Sequence, residues 1–232
     1  MIPTASLALA TLAFVGTHFL MSHPLRLGLI RNMGESGFRI AYSLVAIVTL
    51  GWMILAFPRA DAVPLWIAPG WCWIVGSLVM LLGSILLVGS FVRNPAFPNP
   101  GSEKQASRPA TGVFAITRHP MNWSFILWAL VHMSVWGSPR NLIVALGILV
   151  LALFGSIGQD RKKLSAMGES WRGWQSRTSF VPFGALIGRK VKWRAANPGW
   201  IALGGGLIFW LAVTGFHMPL ASPFGWFARG AG

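Results

Sequence analysis

The segment WCWIVGSLVMLLGSILLVGSFV, which runs from Trp71 to Val92, contains no charged residue. About 20 such residues cross the hydrocarbon of a bilayer as an α-helix, because a helix satisfies its own backbone polar groups. Five further apolar runs lie at Pro3–Met21, Ile40–Phe57, Gly112–Trp136, Leu142–Ile157 and Trp200–Met218. The sequence therefore predicts an all-α fold, a polytopic membrane helical bundle with about six transmembrane helices.

The composition agrees with a membrane protein. Charged residues make up 10% of the chain and apolar residues 54%, whereas an ordinary soluble domain carries about 25% charged residues. A chain with so few charges has too little polar surface to cover a water-facing globule. The 13 Trp residues against one Tyr are typical of a protein that meets the boundary between lipid and water.

The distribution of positive charge predicts the orientation of the chain. The net charge is +14, from 19 Lys and Arg against 5 Asp and Glu. A nucleic-acid partner is excluded, because these bases sit between apolar runs rather than over a hydrophilic surface. Alternate connections between the runs hold 16 of the 19 bases. By the positive-inside rule we expect a multi-pass protein of the bacterial inner membrane, with the basic connections cytoplasmic and both termini outside.

No second domain is visible, so residues 1–232 are interpreted as one integral membrane domain. Residues 158–197 form its largest polar segment, and Leu164, Met167, Trp171 and Trp174 recur there at helical spacing. This pattern predicts an amphipathic helix on the cytoplasmic surface. The run of Gly204, Gly205 and Gly206 in the last apolar segment predicts close packing against a neighbouring helix.

Histidines within apolar runs are the first candidates for chemistry, because ionisable groups are costly in lipid. His18 lies in the first run, His132 in the fourth and His217 near the end of the sixth. Imidazoles without accompanying carboxylates suit haem iron or a similar metal better than a hard cation. The alternative is that each histidine only hydrogen-bonds a neighbouring helix.

A second candidate cluster lies around Thr117-Arg118-His119-Pro120. Pro120 is compatible with the first turn of a helix, which places Arg118 and His119 at the membrane surface. There they could hold an anion or a polar headgroup, although an interfacial arginine can also be a simple anchor. Asp160-Arg161 ends the fifth run, and Arg177 closes the amphipathic segment.

Several motifs together resemble the NnrU family, which is similar to plant 15-cis-ζ-carotene isomerase. They extend from about residue 18 to residue 185. The matching stretches are His18-x7-Arg26, Gly34-Glu35-x2-Phe38-Arg39-x2-Tyr42-Ser43, Gly112 to Pro120 with its Arg118-His119-Pro120 end, Trp128 to His132, Gly158-Gln-Asp160-Arg161, and Gly168-Glu169 through Arg177-Thr178-x3-Pro182-Phe183.

The resemblance implies a membrane-embedded haem b with His18 and His132 as the iron ligands, whose redox state gates cis–trans isomerisation of an apolar polyene. It places Arg26, Arg118, His119, Arg161 and Arg177 around the cofactor and adds Arg118, His119 and Asp160 to the catalytic set. It also implies a membrane redox partner beside the lipid bilayer and the substrate. Relatives are linked to denitrification, so a haem- or NO-linked accessory role is the other implied function.

The resemblance has two departures and one geometric difficulty. Ala129 stands where the isomerase has a cysteine, its proposed exchangeable ligand, and Leu151 stands where it has a histidine. His119 and His132 are separated by about 20 Å of helix. By depth in the membrane His119 would suit His18, and His217 would suit His132. His119 and His217 are therefore the fallback metal ligands.

The same motifs resemble a second enzyme class, the isoprenylcysteine carboxyl methyltransferase group of membrane methyltransferases. In that interpretation Arg118 and His119 hold the carboxylate of S-adenosylmethionine, and Asp160 lies near its amino or ribose groups. The aromatic residue usual two positions after the proline is replaced by Asn122. Methyl transfer is therefore the alternative function, and S-adenosylmethionine the alternative cofactor.

Overall fold

A computed structural model of the chain describes residues 3–97, 101–217, 219 and 221–229. In this part of the chain the regular structure is helical, with one isolated antiparallel bridge between Ile67 and Trp136. The prediction of an all-α fold is confirmed. The α-helices are α1 (Pro3–Ser22), α2 (Arg26–Ala56), α3 (Gly70–Gly89), α4 (Ser102–Ala106), α5 (Val113–Ile116), α6 (Pro120–Val135), α7 (Pro139–Met167), α8 (Glu169–Arg177), α9 (Gly184–Ile187), α10 (Gly199–Gly215) and α11 (Pro223–Arg229), with 3₁₀ turns at Phe57–Arg59 and Trp193–Ala196.

Four of these helices are long and apolar enough to cross a membrane. They are α1, α2 with its 3₁₀ turn, α3 and α7. Four of the six apolar runs therefore coincide wholly or largely with helices of membrane-spanning length. The chain is a helical protein of membrane character.

The other two apolar runs form shorter helices. The run Gly112–Trp136 is interrupted at Thr117, whose extended backbone (φ −153°, ψ 149°) separates α5 from α6. The longer helix of this run, α6, starts at Pro120 and has 16 residues. The last run forms α10, which has 17 residues. The six-span count stays a prediction.

The chain divides into two compact units, and the first comprises Met1–Ala68 and His132–Gly155. Its core contains buried apolar side chains from α1 and α2, among them Leu7, Ala10 and Met53. Gly34 has a left-handed φ of 73° inside α2, so the backbone is kinked there. A side chain is strained in this conformation, and glycine adopts it freely.

The second unit comprises Pro69–Val131 and Ser156–Gly232, and its core is built around two tryptophans. Trp171 and Trp174 of α8 are buried together with Phe114 and Leu86. The predicted amphipathic helix is therefore wrong in detail. Leu164 and Met167 belong to α7, a break at Gly168 (φ 50°) starts α8, and the tryptophans face the protein core rather than a membrane surface. The prediction of a single domain stays a prediction.

Small residues allow α3 and α10 to approach closely within the second unit. A Cβ at Gly206 would lie 2.7 Å from Ile85 Cα, and one at Gly205 would lie 2.9 Å from Val88 Cγ1. A Cβ at Gly204 would meet open space. Two of the three glycines thus form the contact, as expected for small residues between packed membrane helices.

We therefore expect Gly206→Ala to destabilise the protein. The added methyl group would meet backbone atoms of α3, and overpacking of this kind costs about 1–3 kcal/mol. Thermal unfolding in detergent, followed by circular dichroism, measures the loss. The matched control is Gly204→Ala, which adds the same methyl group to the same helix in open space. Equal melting temperatures for the two variants would contradict the proposed contact.

Candidate functional site

The His18 side chain is oriented by its own helix. Its Nδ1 lies 2.6 Å from the backbone carbonyl oxygen of Phe14, so that nitrogen is the donor. In a neutral imidazole, a proton on Nδ1 leaves the lone pair on Nε2, which is then the nitrogen that can bind a metal. The ring also contacts two aromatic side chains, Phe14 at 4.3 Å and Tyr42 at 5.4 Å between centroids. The imidazole is half-buried and held in one orientation.

The motif residues of α2 lie around His18 in the same unit. The Tyr42 ring is edge-on to the imidazole, and Phe38 lies 5.9 Å from Tyr42 between centroids. The Arg26 guanidinium lies 5.4 Å from the Phe38 ring centroid and pairs with Glu35 at 3.2 Å. The structure therefore joins five residues of the first two sequence motifs into one cluster along α1 and α2, which we call the His18 cluster.

His132 belongs to the same unit as His18. It lies in the last turn of α6 and is half-buried. Within the described residues, no group of three or more His, Cys, Asp or Glu side chains could hold a metal ion. A porphyrin supplies four iron ligands itself, so haem needs only one or two axial side chains. The protonation form of His18 fits such an axial ligand.

The second unit holds a buried ion pair between Arg118 and Asp160. The Asp160 carboxylate accepts hydrogen bonds from Arg118 Nε at 2.8 and 3.1 Å, and Arg118 Nη2 lies 2.8 Å from Oδ2. The two side chains are only 13% and 12% exposed. The guanidinium also lies 6.0 Å from the Phe180 ring centroid. Forked contacts of this kind are strong, and they neutralise both charges.

His119 joins this pair from the start of α6. Its side chain is 0% exposed, with Nε2 3.1 Å from Asp160 Oδ1, although that contact lacks hydrogen-bond geometry. Its Nδ1 lies 3.1 Å from Gln159 Oε1. Both ring nitrogens thus face oxygen atoms, which leaves His119 poorly suited as a fallback metal ligand. The residues Arg118, His119, Gln159 and Asp160 form what we call the Asp160 cluster.

The segment after α8 wraps around this cluster through backbone carbonyl groups. The Phe180 carbonyl accepts hydrogen bonds from Thr117 Oγ1 and Trp123 Nε1, both at 2.8 Å. The Ser179 carbonyl accepts one from the Arg118 backbone N–H at 2.9 Å. Gln159 and Phe180 were not among the predicted site residues. Gln159 adjoins Asp160 in one of the family motifs. Ser179 and Phe180 act through their backbone carbonyl groups, so the type of side chain at these positions could not indicate their role.

The remaining predicted site residues have separate environments. Arg161 is exposed at the surface of α7. Arg177 Nη2 donates a hydrogen bond to the Ala106 carbonyl at 2.6 Å, which ties α8 to α4. His217 is exposed, and its Nδ1 lies 2.8 Å from the Val213 carbonyl. The structure thus divides the predicted set between two units, with His18, His132 and Arg26 in the first.

The chain is similar in sequence to two plant proteins that have the same name. The chain is 27% identical over 167 residues to the 15-cis-zeta-carotene isomerase, chloroplastic, of Zea mays, and the match covers 69% of this chain. It is 28% identical to the Arabidopsis thaliana protein of the same name, over 68% of this chain. The match spans 44% of the length of each plant protein. No solved structure matches the chain.

A protein-family model covers almost the whole sequence. The model described as NnrU protein matches residues 6–223. This range includes both the His18 cluster and the Asp160 cluster. The chain belongs to the NnrU family.

Proposed function

We propose that this chain is a haem b-binding integral membrane protein that catalyses cis–trans isomerisation of a double bond in an apolar polyene. Three facts support the proposal: membership of the NnrU family, the similarity to 15-cis-zeta-carotene isomerases, and the membrane character of the helices. Residues 1–232 would act as one membrane domain. The observation that carries the haem assignment is the half-buried His18 imidazole, whose Nδ1 contacts the Phe14 carbonyl and whose ring packs against Phe14 and Tyr42.

The first unit would hold the cofactor. His18, through Nε2, and His132 would hold the haem iron. Arg26 is the cation of the His18 cluster, and its guanidinium would pair with a haem carboxylate as well as with Glu35, to which it is already bound. When bound, haem would supply an iron centre that changes oxidation state by one electron. Tyr42 and Phe14 would keep the imidazole in its ligating orientation.

The substrate class follows from the surface of the first unit and from the relatives. Large apolar side chains are exposed along α1 and α2, among them Leu12, Ile47 and Leu55. Such a surface is stable in lipid, so an apolar polyene dissolved in the membrane reaches the protein without crossing water. A membrane redox partner would set the oxidation state of the iron.

The alternative of methyl transfer is less well supported. It requires Arg118 to hold the carboxylate of S-adenosylmethionine, yet that guanidinium already binds Asp160 in a forked contact. The His119 side chain is 0% exposed, so it has no accessible surface with which to contact a cofactor. We propose instead that the Asp160 cluster connects α6, α7 and the segment after α8 within the second unit.

The proposed topology has six spans in the inner membrane, with α6 and α10 added to the four long helices. We expect Ser165→Cys, near the end of α7, to be cytoplasmic and Ala62→Cys to be outside; both residues are exposed. Each would be placed in a Cys72→Ser background, which has no other cysteine. A membrane-impermeant maleimide should label residue 62 in intact cells and residue 165 only after lysis. Labelling of residue 165 in intact cells would indicate four spans.

We expect His18→Gly to weaken haem binding about tenfold or more, because the change removes an axial ligand. The Soret absorbance of protein loaded with haem and purified in detergent measures the occupancy. Added imidazole should restore it partly, by filling the space left by the side chain. His132→Ala should also lower it.

His217→Ala is the matched control, because its imidazole makes the same Nδ1 contact with a carbonyl four residues earlier. Wild-type protein that takes up no haem would contradict the assignment, and binding of S-adenosylmethionine by calorimetry would then favour methyl transfer. Haem-loaded protein that leaves a cis-polyene unchanged under reducing conditions would contradict the isomerase and favour the accessory role in denitrification.

We expect Asp160→Asn to destabilise the protein by roughly 3–5 kcal/mol, because it leaves the buried Arg118 guanidinium without a counter-charge. Thermal unfolding in detergent measures the effect. The control is Glu169→Gln, which removes the carboxylate from the exposed pair with Arg172 and should cost less than about 1 kcal/mol. A variant Asp160→Asn as stable as the wild type would refute the structural role.

A further inference from the structure

The segment between α9 and α10 carries a dense group of exposed positive charges. Its bases lie within six positions, and all four side chains are exposed: Arg189, Lys190, Lys192 and Arg194. Residues 187–200 contain no Asp or Glu. Among the described residues none of these four side chains has an acidic partner. We call residues 187–200 the basic segment.

Large apolar side chains are exposed among these charges. Ile187 is 72% exposed, Trp193 63% and Trp200 89%. Trp200 stands at the start of α10, the apolar helix that follows the segment directly. Tryptophan is enriched where protein meets the boundary between hydrocarbon and headgroups, because its ring is apolar and its N–H is polar.

The backbone of the basic segment is fixed, so its charges have defined positions. Gly112 N–H donates a hydrogen bond to the Ala195 carbonyl at 2.7 Å, and Lys190 N–H donates one to the Ala185 carbonyl at 2.9 Å. A 3₁₀ turn covers Trp193–Ala196. The Trp193 ring also stacks on Phe183, with an interplanar angle of 21°. The segment is thus held to the second unit at several points.

We propose that the basic segment binds the headgroups of anionic phospholipids at the cytoplasmic surface of the membrane. Lysine and arginine next to a membrane helix are attracted to the negative surface potential of anionic lipids. The alternation of these bases with exposed Ile187 and Trp193 favours lipid over nucleic acid, because the apolar side chains gain from contact with the membrane boundary. The proposal requires that α10 lies in the membrane and is independent of haem binding.

The test compares the binding of two lipids to the full-length protein. Detergent-solubilised protein is given equimolar phosphatidylglycerol and phosphatidylcholine, and the bound lipids are counted by native mass spectrometry. The wild type should prefer phosphatidylglycerol. Replacing Arg189, Lys190, Lys192 and Arg194 with glutamine should lower that preference at least about tenfold.

The matched control neutralises four exposed bases of other cytoplasmic connections, namely Arg93, Lys104, Arg108 and Lys162. It makes the same change in net charge, and it should keep most of the preference. Equal losses in the two variants would show a general charge effect and overturn the proposal. Retention of the preference without the four bases of the segment would do the same.

A salt titration of the wild type does not depend on the folding of a variant. Raising NaCl from about 0.05 M to about 0.5 M should reduce the preference severalfold, because salt screens exposed charges. A preference that does not change with salt would contradict electrostatic headgroup binding. Tight binding of an RNA oligonucleotide at physiological salt, lost when the four bases are replaced, would identify nucleic acid as the partner instead.

Discussion

The contact between Asp160 and Arg118 is the interaction on which the second unit depends. A charge away from water is costly unless an opposite charge and hydrogen bonds compensate for it. Here the compensation comes from Arg118, whose Nε and Nη2 both contact the carboxylate, and His119 Nε2 lies 3.1 Å from Oδ1. Thr117 and Trp123, on either side of Arg118 in the sequence, are positioned by hydrogen bonds from their side chains to the Phe180 carbonyl.

Hydropathy was enough to predict the long helices but not where an apolar run breaks. The runs at α1 and α3 coincide closely with single helices, because twenty apolar residues without charges have few other stable forms in lipid. The run that includes Thr117 is also predominantly apolar, like those at α1 and α3, yet its backbone is extended at Thr117. The reason is a set of partners some 60 residues downstream, whose carbonyl groups accept the hydrogen bonds of Thr117. Pro120 marks the start of the following helix, but no local pattern identifies these distant partners.

Periodicity has a related weakness at α8. Spacing alone identified Trp171 and Trp174 as one face of a helix, which is correct, but it could not say what that face contacts. An apolar stripe is equally suited to a lipid surface and to a protein core. The tryptophans are buried in the core, and exposed apolar side chains with nearby bases occur later, around Trp193. The mixture of exposed apolar and basic side chains that the sequence indicated for α8 is therefore found in that later segment.

The structure divides the predicted site residues between two clusters, a division that the sequence did not indicate. His18 was predicted as an iron ligand and His119 as a fallback, and the structure distinguishes the two by the contacts of their ring nitrogens. A metal ligand needs an accessible lone pair, and the Nδ1 contact of His18 leaves one on Nε2. His119 is enclosed, with Gln159 and Asp160 at its two nitrogens. The charges of the Asp160 cluster neutralise one another, as expected for a structural role. His18 has a nitrogen that could bind a cofactor, which is why we propose the haem site in the first unit.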